Sequence, residues 1–190
     1  MAKTTGPGRP KAISREMLAE AACELFLEQG YDETNVVEIA ARAGVGRSSF
    51  FNYAAGKADL LWGGLDERIT EIGSAVSDGE APAAALRRLA DDFAPDALAL
   101  AFANAETMRI EAHLERESAL RAWRIAHIAS RGLRREGVDP LAAEVTAGAY
   151  GTAALAAIRA WAAAGAGTAP LADHLERALA VLSGPGSSLD

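Results

Sequence analysis

The sequence predicts an all-α protein, with a three-helix N-terminal head followed by a larger helical bundle. Half of the 190 residues are hydrophobic, and alanine, the strongest helix former, dominates many segments. Within these segments the apolar residues recur at steps of three and four, which places them along one face of a helix. Glycine and proline separate the periodic segments, as they do at helix ends.

The first helix is predicted to begin after Ser14, whose side chain can act as its N-cap, and to end near Gln29 at Gly30. An unbroken apolar stripe marks its buried face: Leu18, Ala21, Ala22, Leu25 and Phe26. Cys23 lies beside that stripe, so we expect a small buried side chain rather than a reactive thiol.

Residues 34–57 predict two short helices joined by a tight glycine turn. Asn35 precedes the first of them, and Glu38 lies three residues after Asn35, which is the spacing of a capping box. Gly44 can adopt the left-handed conformation that ends a helix. The second helix is predicted over about 46–53. The apolar face of the first helix comprises Val36, Ile39, Ala40 and Ala43.

The second helix of this pair is predicted to present a polar face to solvent. Phe50 points inward, whereas the outward positions are Arg47, Ser48, Ser49 and Asn52. A helix, a short glycine turn and a second helix with an exposed polar face make up the helix-turn-helix layout, whose second helix enters the major groove of DNA. The segment therefore predicts a DNA-binding head.

These residues and their flanks resemble the signature of TetR-family transcriptional regulators over roughly residues 13–62. The resemblance is specific because many positions agree at fixed spacing. They are Gly30, Tyr31, Thr34, Ile39, Ala40, Ala43, Gly44, Val45, Phe50, Phe51, Tyr53, Lys57, Leu60 and Leu61. A weaker resemblance to the mycofactocin-linked subgroup rests on Trp62-Gly63, on Gly8-Arg9-Pro10 and on the arginine-rich segment 116–135.

Three departures from the family pattern fall around the second helix. Gly46 stands where the family usually has Ser, which predicts a weaker N-cap. Ala54 stands where Phe commonly follows the Tyr, and Ala55-Gly56 replaces a Pro-Ser-like pair. These changes bear on how rigidly the helix is held, and they leave the DNA-facing side chains in place.

The outward face of the second helix is predicted to read bases. Arg47 is the candidate for a guanine edge, because its guanidinium fork matches O6 and N7. Ser48, Ser49 and Asn52 can reach bases or phosphates. Phe51 fits core packing and contact in the groove equally well.

Three further side chains are candidates for the phosphate backbone, where contacts position the helix without reading sequence. Tyr53 and Lys57 are predicted to act as backbone clamps. Thr34 precedes the first helix, where its hydroxyl and the amides beyond it can bind a phosphate. The alternative for Thr34 is an ordinary turn residue.

The charge distribution favours DNA binding at one end of the chain only. Residues 1–12 predict a flexible basic arm, whose Arg9 can enter a narrow A·T-rich minor groove; a loose terminus without a role is the alternative. Residues 1–57 carry seven basic and seven acidic side chains, whereas the remainder carries twelve and nineteen, giving the net charge of −7. A basic arm ahead of a neutral head on an acidic body fits a one-ended DNA-binding protein.

The helix-turn-helix domain is assigned to residues 13–57, a helical regulatory and dimerisation domain to 58–184, and a loose tail to 185–190. A long helix follows Lys57 and links the two domains. Further helices are predicted over 81–93, 96–115 with an interruption near Asn104, 117–136, 141–164 and from Pro170 onward.

The family resemblance implies a ligand pocket between the central helices of the body. The candidate lining residues are Phe93, Leu98, Phe102, Met108, Trp123 and His127, and core packing accounts for them equally well. The arginines of 116–135 predict either a solvated face or contacts to an anionic head group. Such contacts would suit an acidic or acyl-CoA-like effector.

The last two helices resemble the family's dimer interface, a four-helix bundle made from two subunits. The candidate interface residues are Gly148, Gly151, Leu155, Trp161, Leu171, Leu175 and Leu179. Packing inside a single subunit is the alternative.

Other classes of protein find no support in the sequence. One cysteine excludes an intrachain disulfide, the three histidines lack metal-ligand spacing, and there is no phosphate-binding loop or dinucleotide fingerprint. We therefore predict no enzyme activity, no cofactor and no metal, and a soluble cytoplasmic chain without a signal peptide. The favoured hypothesis is a homodimeric, ligand-responsive repressor on a palindromic operator. The alternatives are a helical binding module without a DNA role and a small helical enzyme.

Overall fold

The computed structural model describes residues 14–182, and within that range it is built from helices and turns. This confirms the all-α prediction. The α-helices are α1 (Arg15–Gln29), α2 (Val36–Arg42), α3 (Arg47–Phe50), α4 (Lys57–Ser77), α5 (Pro82–Arg87), α6 (Ala97–Ala103), α7 (Glu111–Arg135), α8 (Pro140–Ala163) and α9 (Leu171–Leu182). The predictions for the basic arm, including Arg9, and for the tail 185–190 lie outside the described residues.

One face of helix α1 is buried in the core of the head. Ser14 caps it by accepting a hydrogen bond from the Met17 amide at 3.3 Å, and Gly30 ends it with a φ of 91°. Cys23 on this helix is 4% exposed, and burial raises the pKa of its thiol to about 12. A thiol with that pKa is protonated at neutral pH, so Cys23 serves as a small apolar core residue.

Helix α2 begins with the predicted capping box. Asn35 Oδ1 accepts hydrogen bonds from the amides of Val37 at 2.9 Å and Glu38 at 3.1 Å. In return, Glu38 Oε2 accepts from the Asn35 amide at 3.0 Å. Three amides that the helix cannot pair internally are thereby satisfied, which fixes where α2 begins.

Asn35→Ala is expected to lower the free energy of unfolding of the head by about 1 kcal/mol, because two amides lose their acceptor. Denaturant unfolding of both proteins measures the difference. Asn35→Asp is the control, since it keeps the acceptor and places a negative charge at the positive end of the helix. An alanine variant as stable as the aspartate variant would contradict this role for the cap.

The helical pattern is interrupted near Asn104, as predicted, but α7 begins at Glu111, six residues earlier than expected. Asn104 ends α6, and turns follow until Glu111. Arg109 has a φ of 51°, and its guanidinium donates to the Gln29 carbonyl at 3.1 Å. The Tyr31 amide donates to the Met108 carbonyl at 2.8 Å. This turn therefore ties the body to the end of α1.

Helices α7 and α8 form the largest helix pair of the body and run antiparallel. Gly151 lies against the backbone of Ala122, whereas Ser130 donates to Glu144 Oε1 at 2.7 Å. The contact at Gly151 is so close that a Cβ there would lie 2.9 Å from the Ala122 carbonyl carbon and nearer still to its oxygen. Glycine at this position therefore sets the distance between the two helices.

Helices α4 and α7 run parallel and are joined by a polar cluster around Asp66. Arg121 Nη2 contacts Asp66 Oδ2 at 2.6 Å, and Arg124 contacts the other carboxylate oxygen. Arg121 is only 6% exposed, also pairs with Glu117 at 2.6 Å, and lies 4.2 Å from the Trp62 ring centroid. The arginine-rich pattern predicted either a solvated face or a contact to an anionic ligand. Arg121 has neither role, because it is buried and paired within the protein.

Helix α8 is long and apolar enough, by composition alone, to cross a membrane. It has 24 residues and a mean hydropathy of 1.3 in its most apolar window, of which 44% is buried inside the protein. It packs against α6, α7 and α9. This packing in the body accounts for part of its apolar character.

Candidate nucleic-acid interface

The turn between α2 and α3 redirects the chain within four residues. Gly44 adopts a φ of 72°, in the left-handed region that glycine occupies without strain. The Gly44 amide donates to the Ala41 carbonyl at 3.0 Å, and the Val45 amide donates to the Ala40 carbonyl at 2.8 Å. These bonds fix the angle at which α3 leaves α2.

Helix α3 is shorter than the sequence predicts. It covers Arg47–Phe50 instead of 46–53, and residues 51–53 continue as a turn in which the Tyr53 amide donates to the Phe50 carbonyl at 2.9 Å. Gly46 at its start offers no side-chain cap, as expected from the missing Ser. Phe50 is fully buried, which confirms the inward direction predicted for it.

The polar face of this segment lies open to solvent. Arg47, Ser48 and Asn52 are exposed and Ser49 is half-buried. Phe51 is 50% exposed, so the structure favours a surface position over the core. The Arg47 guanidinium lies 5.9 Å from the Phe51 ring centroid, a distance at which cation and ring attract. Tyr53 is 37% exposed at the end of the same surface.

Electrostatics around this surface favour a polyanion. No acidic residue occurs between Glu38 and Asp59 in the sequence. On the flank of α2, Arg42 pairs with Glu24 at 3.1 Å and with Glu28 at 2.6 Å. The hydrogen bonds from Arg42 lower the pKa of the Glu28 carboxyl. Glu24 and Glu28 of the head are therefore partnered, and residues 39–58 carry positive charge only.

The segment after α3 is anchored in spite of its departures from the family pattern. Ala54 is buried, and its amide donates to the Phe50 carbonyl at 3.1 Å. The Ala55 amide donates to Asp59 Oδ2 at 2.9 Å, and Asp59 Oδ1 contacts Arg15 Nη2 at 2.9 Å. Helices α1 and α4 thus hold this loop between them.

Thr34 does not offer its hydroxyl to a phosphate in this structure. Its side chain is 1% exposed, and its Oγ1 donates to the Gly30 carbonyl at 2.8 Å. The amides beyond it are taken by the capping box of α2. The structure therefore corrects the phosphate contact predicted here in favour of the turn residue.

Lys57 is likewise committed to the protein itself. Its ammonium donates to the Tyr31 carbonyl at 2.6 Å and to the Thr34 carbonyl at 2.9 Å, and it lies 4.1 Å from the Tyr31 ring centroid. Burial lowers the pKa of this ammonium. The prediction of a phosphate clamp is corrected, because Lys57 ties the α1–α2 loop to the start of α4.

Lys57→Met is expected to lower the free energy of unfolding by about 1–3 kcal/mol, because buried carbonyls lose a charged donor. The slope of log Kd for DNA against log salt concentration should not change, since no phosphate contact is lost. Unfolding curves and a salt series measure the two quantities. A slope smaller by about one unit would instead indicate a phosphate contact.

Comparison with known proteins places this head in a family. Residues 18–61 match the model of the bacterial regulatory proteins of the tetR family. The N-terminal head is a TetR-family domain. It is also 29% identical over 65 residues to MftR of Mycobacterium tuberculosis (strain ATCC 25618 / H37Rv), described as a transcriptional regulator of mycofactocin biosynthesis. That alignment spans 34% of this chain and 33% of MftR. The head thus matches the TetR family, and the chain aligns with about a third of the length of this curated relative.

Solved structures resemble the chain over most of its length. A TetR-family regulator from Syntrophomonas wolfei str. Goettingen covers 92% of it with a TM-score of 0.52 and 18% identity, and 97% of that chain is covered. FadR from Thermus thermophilus, a TetR-family repressor solved with lauroyl-CoA, covers 89% with a TM-score of 0.46 and 26% identity, and 93% of that chain is covered. The first likeness supports a TetR-like fold for the body behind the TetR-family head.

The six residues predicted to line a ligand pocket do not share a cavity. Leu98 and Met108 are fully buried in the core, and Phe102 packs edge-on against Trp62. Trp123 is 64% exposed on the outside of α7, where it stacks on His127. Phe93 lines a cavity of about 520 Å³ beside Arg68. Within residues 14–182 no cluster of His, Cys, Asp and Glu is arranged to hold a metal ion.

Most of the predicted dimer residues are buried within the single subunit. Gly151, Leu155 and Trp161 of α8 are buried in its core. The three leucines of α9 are buried there as well: Leu171, Leu175 and Leu179. Only Gly148 is exposed. The exposed face of α8 instead carries Leu141, Val145, Gly148, Thr152 and Ala156. These exposed residues recur at steps of four and three in the sequence. The buried residues of α8 recur with the same period, so the sequence alone did not show which face is exposed.

Proposed function

We propose that this chain is a homodimeric, ligand-responsive transcriptional repressor, which binds a palindromic DNA operator and is released by a small-molecule effector. It acts in the cytoplasm and carries out no catalysis. The observation that supports the proposal most strongly is the outward face of residues 47–53. It presents a guanidinium, hydroxyls, an amide and an aromatic ring on a surface without carboxylates.

Arg47 and Asn52 supply the base-reading chemistry of this head. A guanidinium fork pairs with guanine O6 and N7, and a carboxamide pairs with adenine N6 and N7. Phe51 can contact a thymine methyl group, while Ser48, Ser49 and Tyr53 reach phosphates or base edges. The single helical turn of α3 suits this role, because the first residues of a recognition helix make most base contacts.

The exposed apolar face of α7 and α8 supplies the contact between two subunits. Leu141 and Val145 on α8 are 74% and 67% exposed, and Leu120 and Trp123 on α7 are 50% and 64% exposed. Large apolar side chains exposed on neighbouring helices mark an association surface. A two-fold axis through this face would present two heads to half-sites about 34–36 Å apart, so the operator is palindromic.

Val145→Arg is expected to convert the dimer to a monomer, because a buried unpaired charge at the interface costs several kcal/mol. Loss of dimerisation should weaken binding to a two-half-site duplex about 100-fold or more, since the linked second contact is lost. Light scattering and fluorescence anisotropy measure these effects. Ala84→Arg on exposed α5 is the charge-matched control. A Val145→Arg variant that remains a dimer would show that the interface lies elsewhere.

Helix α4 supplies the mechanical link between effector and head. It has 21 residues, so it spans about 30 Å. Its first part packs on α1, its middle contacts α7 through the cluster around Asp66, and its end contacts Arg135 of α7. An acidic or acyl-CoA-like effector that binds the body more tightly in a second α4 position shifts the dimer toward that state. The heads then no longer match the half-site spacing.

The proposal is tested by fluorescence anisotropy with duplexes taken from the DNA upstream of the chain's own gene. Wild-type protein should bind one duplex at least about 1,000-fold more tightly than scrambled DNA, with affinity falling steeply as salt rises. Equal affinity for specific and scrambled duplexes would contradict the proposal. That result would favour a binding module without a DNA role.

A further inference from the structure

An open groove of about 1030 Å³ lies between the later halves of α4 and α7. Its floor is apolar: Ile128 from α7 is half-buried and faces the groove, above the buried Ile69 and Val76 of α4. Its rim is basic. The four arginines that line it are Arg124, Arg131, Arg134 and Arg135, and they face one carboxylate, Asp78.

The arginines of the groove differ in how they are engaged. Arg124 pairs with Asp66, and Arg134 pairs with Glu144 at 2.8 Å. Arg135 donates to the Ser77 carbonyl at 3.0 Å and to the Val76 carbonyl, so it caps the end of α4. Arg131 is exposed and makes no ion pair with any residue of the described range.

The spacing of these side chains defines the shape of a ligand. Arg124, Arg131 and Arg135 follow one another at seven and four residues along one face of α7, so the cations extend over roughly 16 Å. Guanidinium groups bind phosphate and carboxylate in forked geometry, and the apolar floor accepts a hydrocarbon portion. A ligand with a single point charge would contact only part of this row of arginines.

We propose that this groove binds an elongated anionic amphiphile, a molecule with phosphate or carboxylate groups along one part and an apolar chain or ring along another. Arg131 is its primary anchor. The anionic groups extend from Arg131 toward Arg124 and Arg135, and the apolar part lies on Ile128, which is half-buried. Arg134 stays with Glu144 at the edge.

Occupation of the groove acts on α4, and this step rests on the proposed function. Arg124 and Arg135 are also the guanidiniums that fasten α4 to α7, through Asp66 and through the last carbonyls of α4. A ligand whose anions recruit these guanidiniums competes with α4 for them. The later half of α4 is then less firmly held, and the position of the head changes with it.

Isothermal titration calorimetry with the full chain tests the site, with decanoyl-coenzyme A, free coenzyme A and decanoate as probes. Decanoyl-coenzyme A should bind, and each fragment should bind at least about tenfold more weakly, since each lacks one half of the contacts. Decanoate binding as tightly as decanoyl-coenzyme A would retain the amphiphile and identify a carboxylate as its anion. Coenzyme A binding as tightly as decanoyl-coenzyme A would show that the apolar part contributes nothing, and would overturn the amphiphile proposal.

Arg131→Glu is the decisive variant, because Arg131 has no ion-pair partner to lose and the fold should tolerate the change. It should weaken binding of decanoyl-coenzyme A at least about tenfold, whereas Arg116→Glu, an equal charge change outside the groove on the same helix, should change it less than about twofold. Arg131→Ala, with its melting temperature measured, provides a second variant if the glutamate destabilises the chain.

Unchanged affinity of Arg131→Glu, or no binding of any probe to the wild-type chain, would overturn the proposal. The DNA measurement is separate. Wild-type protein that binds its operator but shows no ligand binding retains the proposed function and loses this site. Ligand binding that leaves operator affinity unchanged overturns the coupling through α4.

Discussion

Arg47→Ala is expected to weaken operator binding by roughly 5- to 150-fold, the equivalent of about 1–3 kcal/mol for a forked contact to guanine. The same change should relax discrimination at one base pair of each half-site. The reason is geometric, since Arg47 begins α3 on the exposed face and lies beside the half-exposed ring of Phe51. Fluorescence anisotropy with the operator and with single-base variants measures both effects.

Two further variants separate base reading from simple charge. Arg47→Lys keeps the positive charge and loses the fork, so it should retain non-specific affinity while losing specificity. Arg87→Ala removes an arginine that pairs with Glu176 at 2.6 Å in the body, and it should leave operator binding unchanged. Equal specificity in the alanine variant and the wild type would remove Arg47 from the recognition surface.

Gly151→Ala is expected to lower the free energy of unfolding by about 2–4 kcal/mol, in spite of the helix propensity that alanine gains. The new Cβ would meet backbone atoms of Ala122, and backbone atoms of a long helix cannot move aside locally. The two helices must separate along their contact, which opens the centre of the body. Denaturant unfolding measures the loss.

Gly64→Ala is the matched control for this prediction. Gly64 lies in the exposed part of α4, where a Cβ would make an ordinary contact of 3.7 Å with Asp96 Oδ2. This variant should gain about 0.5–1 kcal/mol from helix propensity. Gly148 is less suitable, because it lies on the proposed subunit interface. Similar stability changes at Gly151 and Gly64 would show that the α7–α8 contact is not limited by glycine.

The head was predictable in detail because its signals are local. The capping box of Asn35 and Glu38, the left-handed Gly44 and the inward Phe50 are each specified within a few residues of the chain. The roles of Thr34 and Lys57 were not predictable in this way. Lys57 bonds to carbonyls of Tyr31 and Thr34 that reach it only after α1, α2 and α4 pack together. Thr34 bonds to the nearby Gly30 carbonyl, but its burial depends on the same packing.

The body was predictable as helices but not as surfaces. In α8, the buried positions and the exposed positions both carry alanine, glycine and aliphatic residues, so periodicity alone cannot say which face is inside. Arg121 illustrates the same limit, because it lies in an arginine-rich run and is nevertheless buried. Its burial depends on Asp66 and Glu117, one of which is distant in sequence.

Methylation interference on the operator is the most direct test of the claim that residues 47–53 lie in the major groove. Methyl groups on guanine N7 project into the major groove, and methyl groups on adenine N3 project into the minor groove. We predict interference at guanine N7 in two half-sites with centres about 34–36 Å apart, and loss of this interference in Arg47→Ala. Interference confined to adenine N3, or found in one half-site only, would contradict the account.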